Sequence, residues 1–226
     1  MFKIQISNEI IEDHKLTNKA FYLYVYLKIY SKSNKQAYVF TKELMRQLNW
    51  KDKSTLKKYL LQLKNAKYIN YNLEINEQGN EVLPIHNAIT IYFINENLLR
   101  EFTQLDEDIL LKIQTLASKT ELHKLSDGKY IIDKIFDEKE SATRIYYLYE
   151  KLYNKEHKYS ITISYKEIFN MTGCNNQITK GINDLLINNK LLIIKQGNKY
   201  NENIRSRNSY LPIWDMTRRI TQPKLE

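Results

Sequence analysis

The chain has 226 residues, room for two small domains and a connector, and its 42% hydrophobic content excludes a disordered polymer. With 35 Lys+Arg against 26 Asp+Glu the formal charge is +9, which favours a polyanionic partner. A single cysteine, Cys174, excludes an internal disulfide and any cysteine-cluster zinc finger, and fits a reducing compartment.

Met1–Ile11 has no charged-then-apolar signal pattern. The most apolar stretch, Ala20–Ile29, is interrupted by Lys28 and falls short of the roughly 20 residues that span a bilayer. A soluble cytoplasmic protein without a membrane partner is the expectation.

In chain order, the first strong element is an aromatic-rich helix opening at Ala20, with Leu23, Tyr24 and Leu27 at helical spacing. A β-prone run, Ala37–Phe40, leads to a second helix from Thr41 to Leu48, whose threonine can cap free backbone N–H groups. After the turn Asn49–Asp52, a third helix covers Lys53–Lys67 with Leu56, Leu60 and Leu63 on one face. Two strand candidates follow, Tyr68–Leu73 and Ala88–Phe93, around the turn-rich Asn76–Asn80. The middle segment holds an amphipathic helix, Leu105–Leu122, with Ile109, Ile113 and Leu116 in a stripe and acids at its start.

The order then repeats. Ala20–Ile69 lies over Ala142–Leu191 at a shift of 122 residues, giving an aromatic helix from Ala142, a strand at Tyr159–Ile163 and a helix behind Ser164. The turn Gly173-Cys174, shorter by two residues, leads to a helix over Asn175–Lys190 with Ile178, Ile182 and Leu185 inward. Strands at Leu191–Lys195 and Arg207–Leu211 close the copy. Helix, strand, helix, turn, helix, hairpin is the order of a winged helix-turn-helix domain. The expected fold is therefore α+β, mainly α: a winged-helix domain over 1–94, a helical connector over 95–139, and a second winged-helix domain with a basic tail over 140–226.

A recognition helix needs polar and cationic side chains on its outward N-terminal half. In the first copy these are Lys53, Ser54, Lys57 and Lys58, with Lys51 and Lys64 nearby. In the second, the same wheel turns Asn176, Thr179, Lys180 and Asn183 outward. The first hairpin carries Glu74, Glu77 and Glu81 and is expected to turn away from phosphates. The second carries Lys199, Arg205 and Arg207 and is expected to lie on the nucleic-acid backbone or in a minor groove.

Catalytic constellations are missing from the sequence. His14, His86, His123 and His157 are isolated, without metal-ligand spacing, and no Gly-rich phosphate loop is present among five glycines. No catalytic residue, metal or cofactor is expected.

The opening resembles the N-terminal winged-helix domain of plasmid and phage replication initiators and replisome organisers of low-GC Gram-positive bacteria. The likeness rests on Phe2-Lys-Ile-Gln-Ile6, on Leu16-Thr-Asn-Lys-Ala20 with Phe21-Tyr-Leu-Tyr24, and on the Glu43–Ile69 run through Ser54-Thr-Leu-Lys-Lys58. It covers residues 1–70 well and the second copy in general terms. It implies a sequence-specific double-stranded DNA-binding protein that initiates replication or binds an origin, with host replication proteins as partners. A transcriptional regulator of a mobile element is the alternative, with the connector helix as a homodimer seam and a palindromic site. A protein-interaction module on the same fold is the third reading.

Overall fold

The computed structural model describes residues 3–31, 35–79, 81–84, 88–94, 101–118, 121–124, 130–133, 138–156, 161–195 and 208–212. It is a mixed α+β structure with small antiparallel sheets and divides into two compact units, Ile4–Phe102 and Thr103–Glu226, the latter joined by Met1–Lys3. No helix among the described residues is long and apolar enough to cross a membrane.

The first unit begins with strand β1 (Lys3–Ser7) and a short helix α1 (Asn8–Glu12), which buries Ile10 and Ile11. Helix α2 (Asn18–Tyr30) starts at Thr17, whose hydroxyl accepts the Ala20 N–H at 3.3 Å. Every α2 residue from Ala20 to Lys28 is buried, so this is a core helix and not an amphipathic one. Its lysine is accommodated because the Lys28 ammonium lies 4.4 Å from the centre of the Phe93 ring.

Strand β2 (Gln36–Phe40) runs directly into α3 (Thr41–Leu48). The N-cap position belongs to Phe40, so Thr41 does not cap α3 as its chemistry suggested. A left-handed Asn49 ends α3, and α4 (Lys53–Asn65) follows. Strand β3 (Ile69–Tyr71) precedes a small hairpin, β4 (Glu74–Ile75) with β5 (Glu81–Val82), and β6 (Ala88–Phe93) closes the unit. The sheet order is β2-β6-β3, all antiparallel. Strict alternation buries Ala37, Val39, Ile69, Tyr71, Ile89 and Ile91 against the helices. Tyr24 meets Phe93 and Tyr68 edge-on at 5.5 and 6.2 Å, so aromatic pairs join α2 to this sheet.

The second unit opens on β7 (Phe102–Asp106) and α5 (Glu107–Leu116), followed by the hairpin β8 (Glu121–Lys124) and β9 (Tyr130–Asp133). The helix expected over Leu105–Leu122 is thus ten residues long with strands on both sides. Its buried stripe is Leu110, Ile113 and Leu116, and it packs on α6 (Lys139–Glu156). The stripe expected to serve a connector or a dimer seam was Ile109, Ile113 and Leu116; Leu110 takes the place of the half-buried Ile109, and the buried stripe packs inside the unit.

Beyond α6 come β10 (Ile161–Ile163), α7 (Tyr165–Thr172), α8 (Asn176–Asn188), β11 (Leu192–Lys195) and β12 (Asn208–Pro212). The sheet order β10-β12-β11 matches β2-β6-β3 strand for strand. The Tyr149 ring of α6 stacks on Tyr210 of β12 at 4.9 Å. Here Ser164 does cap: its hydroxyl accepts the Glu167 N–H at 3.2 Å, and the Glu167 carboxylate accepts the Ser164 N–H at 2.8 Å.

The internal repeat is therefore real at the level of topology, but its register differs from the expected one. Second helices correspond at a shift of 124 (Thr41 to Tyr165, Asn49 to Gly173) and third helices at 123 (Lys53 to Asn176, Lys67 to Lys190). The turn in the second copy is one residue shorter, not two.

Candidate nucleic-acid interface

Helix α4 is set by its cap and its apolar stripe. The Asp52 carboxylate accepts the Ser54 N–H at 2.9 Å and the Ser54 hydroxyl at 2.5 Å. Those bonds hold the Asp52 carboxyl below its ordinary range and anchor the start of the helix. Leu56, Leu60 and Leu63 are fully buried, which fixes the rotation about the helix axis. Lys53, Ser54, Lys57, Lys58 and Leu61 then face solvent, and Lys51 stands exposed in the turn before them. Lys53 and Lys57 lie one turn apart, where like charges repel by about 0.2–0.5 kcal/mol, a repulsion that an anion relieves.

Lys64 departs from this group. It is half-buried, with its ammonium 4.8 Å from the centre of the Tyr71 ring, so it flanks the face instead of standing on it. On the N-terminal side, Trp50 and Tyr59 pack with ring centres 5.3 Å apart and hold the turn against α4. Glu43, the acid of α3, is engaged by Arg46 at 2.7 and 3.0 Å and by Gln47 at 2.8 Å. Those hydrogen bonds, the arginine's first, lower its carboxyl to about 2, so it meets any polyanion already paired. Beside Lys58 a groove of about 470 Å³ runs between α4 and the segment before α2, lined by Lys15, Leu16, Leu61 and Gln62. Its wall is tied together by the Thr17 hydroxyl donating to Gln62 at 2.9 Å and the Gln62 amide donating to the Lys15 carbonyl at 3.0 Å.

Helix α8 corrects two expected site residues. Thr179 and Asn183 are 0% and 1% exposed and belong to the core. The Thr179 hydroxyl donates to the Cys174 carbonyl at 3.4 Å, and Asn183 Oδ1 accepts the Tyr149 hydroxyl at 2.9 Å. The reason is the register. Asn175 is the N-cap, its side chain accepting the Ile178 N–H at 2.9 Å, so Thr179 and Asn183 occupy the places of Leu56 and Leu60. The outward face of α8 is Asn176, Gln177, Lys180 and Asp184, of which Gln177 and Asp184 were missed. The signal that could have found them is Asn175 read as a cap in place of Gly173-Cys174 read as a fixed-length turn.

The two units therefore present different surfaces at the same place in the fold, lysine-rich on α4 and mostly neutral on α8. Lys199, Arg205 and Arg207 lie outside the described residues. Glu74 and Glu77 are exposed around the tip of the first hairpin, where Gly79 takes a positive φ of 76° and closes the turn on the Asn76 carbonyl at 2.9 Å. Among the described residues no three His, Cys, Asp or Glu side chains form a cluster that could hold a metal ion.

The fold and site define a class no narrower than an α+β chain with one cationic helix face. No protein-family model matches the sequence. No curated protein matches it either.

Proposed function

We propose that the chain is a sequence-specific double-stranded DNA-binding protein of the cytoplasm, made of two winged helix-turn-helix units, that binds a replication origin of a plasmid or phage. The observation that carries the reading is the α4 face: Lys53, Lys57 and Lys58 exposed together on the last helix of a unit whose hairpin follows directly. On such a helix the lysines reach phosphates or guanine acceptors, and Leu61 offers an apolar contact for a thymine methyl. The α8 face, with Asn176, Gln177 and Lys180, suits base-edge hydrogen bonding more than phosphate anchoring. Two dissimilar reading faces in one chain fit an asymmetric site, and the burial of the α5 stripe inside its own unit argues against a dimer seam there. The role is binding, not catalysis, with host replication proteins as further partners.

In vitro selection of random duplex DNA on the purified full-length chain tests this. A non-palindromic motif recurring as direct repeats supports origin binding. A palindrome converts the reading to a dimeric regulator of the same mobile element. Failure to enrich any motif, together with unchanged weak binding by Lys57→Ala/Lys58→Ala, removes DNA and leaves a protein-interaction module.

A further inference from the structure

The sheet of the first unit has a solvent face that its core does not explain. Tyr38 is 62% exposed, Phe40 56% and Tyr92 44%, while their strand neighbours Ala37, Val39, Ile91 and Phe93 are buried. In the ladder Tyr38 stands opposite Thr90 and Gln36 opposite Tyr92, so the Tyr38 ring is diagonal to Tyr92 and two residues from Phe40 on one side of the sheet. Three exposed rings on one small face form a contiguous patch of the kind that marks an interaction site. The fold does not require the two rings of β2: in the matching sheet Tyr38 and Phe40 are replaced by Thr162 and Ser164, and Thr90 by Ser209.

We propose that this face is a stacking platform for single-stranded DNA. Aromatic planes bind any base through its π-face, and residues at alternate strand positions are spaced about 6.8 Å along the backbone. That is about twice the 3.4 Å rise per nucleotide of a duplex strand, so the rings suit splayed, unpaired bases. The rest of the face is neutral: Gln36, Asn70 and Thr90, whose side chains can hydrogen-bond, and Ala88. The Gln36 amide donates to the Tyr38 hydroxyl at 3.1 Å and steers that ring. Exposed Lys35 and Lys42 bracket β2, and no carboxylate stands on the outward positions of the three strands. A net charge of +9 opposes a second copy of the chain on this face and attracts a phosphodiester. The choice of DNA over RNA rests on the duplex reading of α4; the stacking does not.

Fluorescence anisotropy of labelled oligothymidylate, about fifteen nucleotides long, with the full-length chain tests the platform. Tyr38→Ala/Phe40→Ala is expected to weaken binding at least about tenfold, with duplex binding unchanged. Tyr38→Leu/Phe40→Leu keeps apolar area but loses both rings, and is expected to weaken binding equally. Lys57→Ala/Lys58→Ala is expected to do the reverse, weakening duplex binding and leaving oligothymidylate binding unchanged, so unchanged duplex binding in that variant sinks the α4 reading and spares this one. Wild-type affinity in the leucine variant, tighter binding of oligouridylate, or a changed sedimentation coefficient in the alanine variant each overturn the proposal.

Discussion

Tyr149 and Asn183 show how a polar residue enters the core of this protein. The hydroxyl and the amide oxygen meet at 2.9 Å with both side chains buried, and burial first of all pushes the Tyr149 phenol well above its usual pKa. The phenol is thus a permanent donor whose loss of partner leaves a dry hydroxyl, worth about 1–3 kcal/mol. Asn183→Leu is expected to lower stability by about 2 kcal/mol in urea unfolding with an unchanged m-value, and Tyr149→Phe added to it should recover most of the loss. Wild-type stability in Asn183→Leu would show that the pair contributes nothing. The same pair explains why the sequence misled at this position. Binary patterning sends Thr179 and Asn183 outward; the Asn175 cap sets the register that turns both inward, and the Tyr149 hydroxyl 34 residues upstream gives the Asn183 oxygen its partner there. Leu56, Leu60 and Leu63 carry no such ambiguity, and there the expected and observed faces of α4 agree.

Elements were legible wherever a cap or an alternation marked them. The strands Ala37–Phe40 and Ala88–Phe93 read correctly because their buried and exposed residues alternate, and α7 because Ser164 and Glu167 form a reciprocal cap. The helix expected in the middle segment is too long: beyond Leu116 the next places on the stripe belong to Lys119, Thr120 and His123, so the apolar period stops where the helix does, and the Ser118 N–H bonds the Thr115 carbonyl. The turn between second and third helices is the other weak place, since a left-handed residue ends the helix in both copies by different means. Gly173 adopts φ 72° without a Cβ, while Asn49 takes φ 56° with one. A Cβ added at Gly173 would meet nothing within 4 Å, so Gly173→Ala isolates the backbone cost. The expected loss is about 1 kcal/mol, seen as a lower thermal midpoint, while Asn49→Gly should change stability by only a few tenths. Equal effects at the two positions would mean that the turns do not correspond.

At the scale of the whole molecule, one topology is used twice with surfaces that have diverged. The two units share a strand order, and Lys67 and Lys190 take positive φ values of 60° and 59° in corresponding places. Their third helices are nevertheless electrostatically unlike. Lys53, Lys57 and Lys58 give way to Asn176, Lys180 and Gly181, and Leu61 gives way to Asp184. If both α4 and α8 lie on one duplex, counterion release by the two helices must come mainly from α4, because each phosphate neutralised contributes about 0.9 to the slope of log K against log salt. Lys53→Ala/Lys57→Ala/Lys58→Ala is accordingly expected to reduce that slope by between about two and three, and Lys180→Ala by about one at most. The test is duplex titration at several salt concentrations with the selected site. Equal slope losses from the two helices would mean that Asn176 and Gln177 sit no closer to base edges than the α4 lysines do, and that the lysine excess on α4 serves solubility instead of recognition. A slope lost only in the α4 variant, with sequence preference intact, would separate the two roles: the first unit anchors and the second reads.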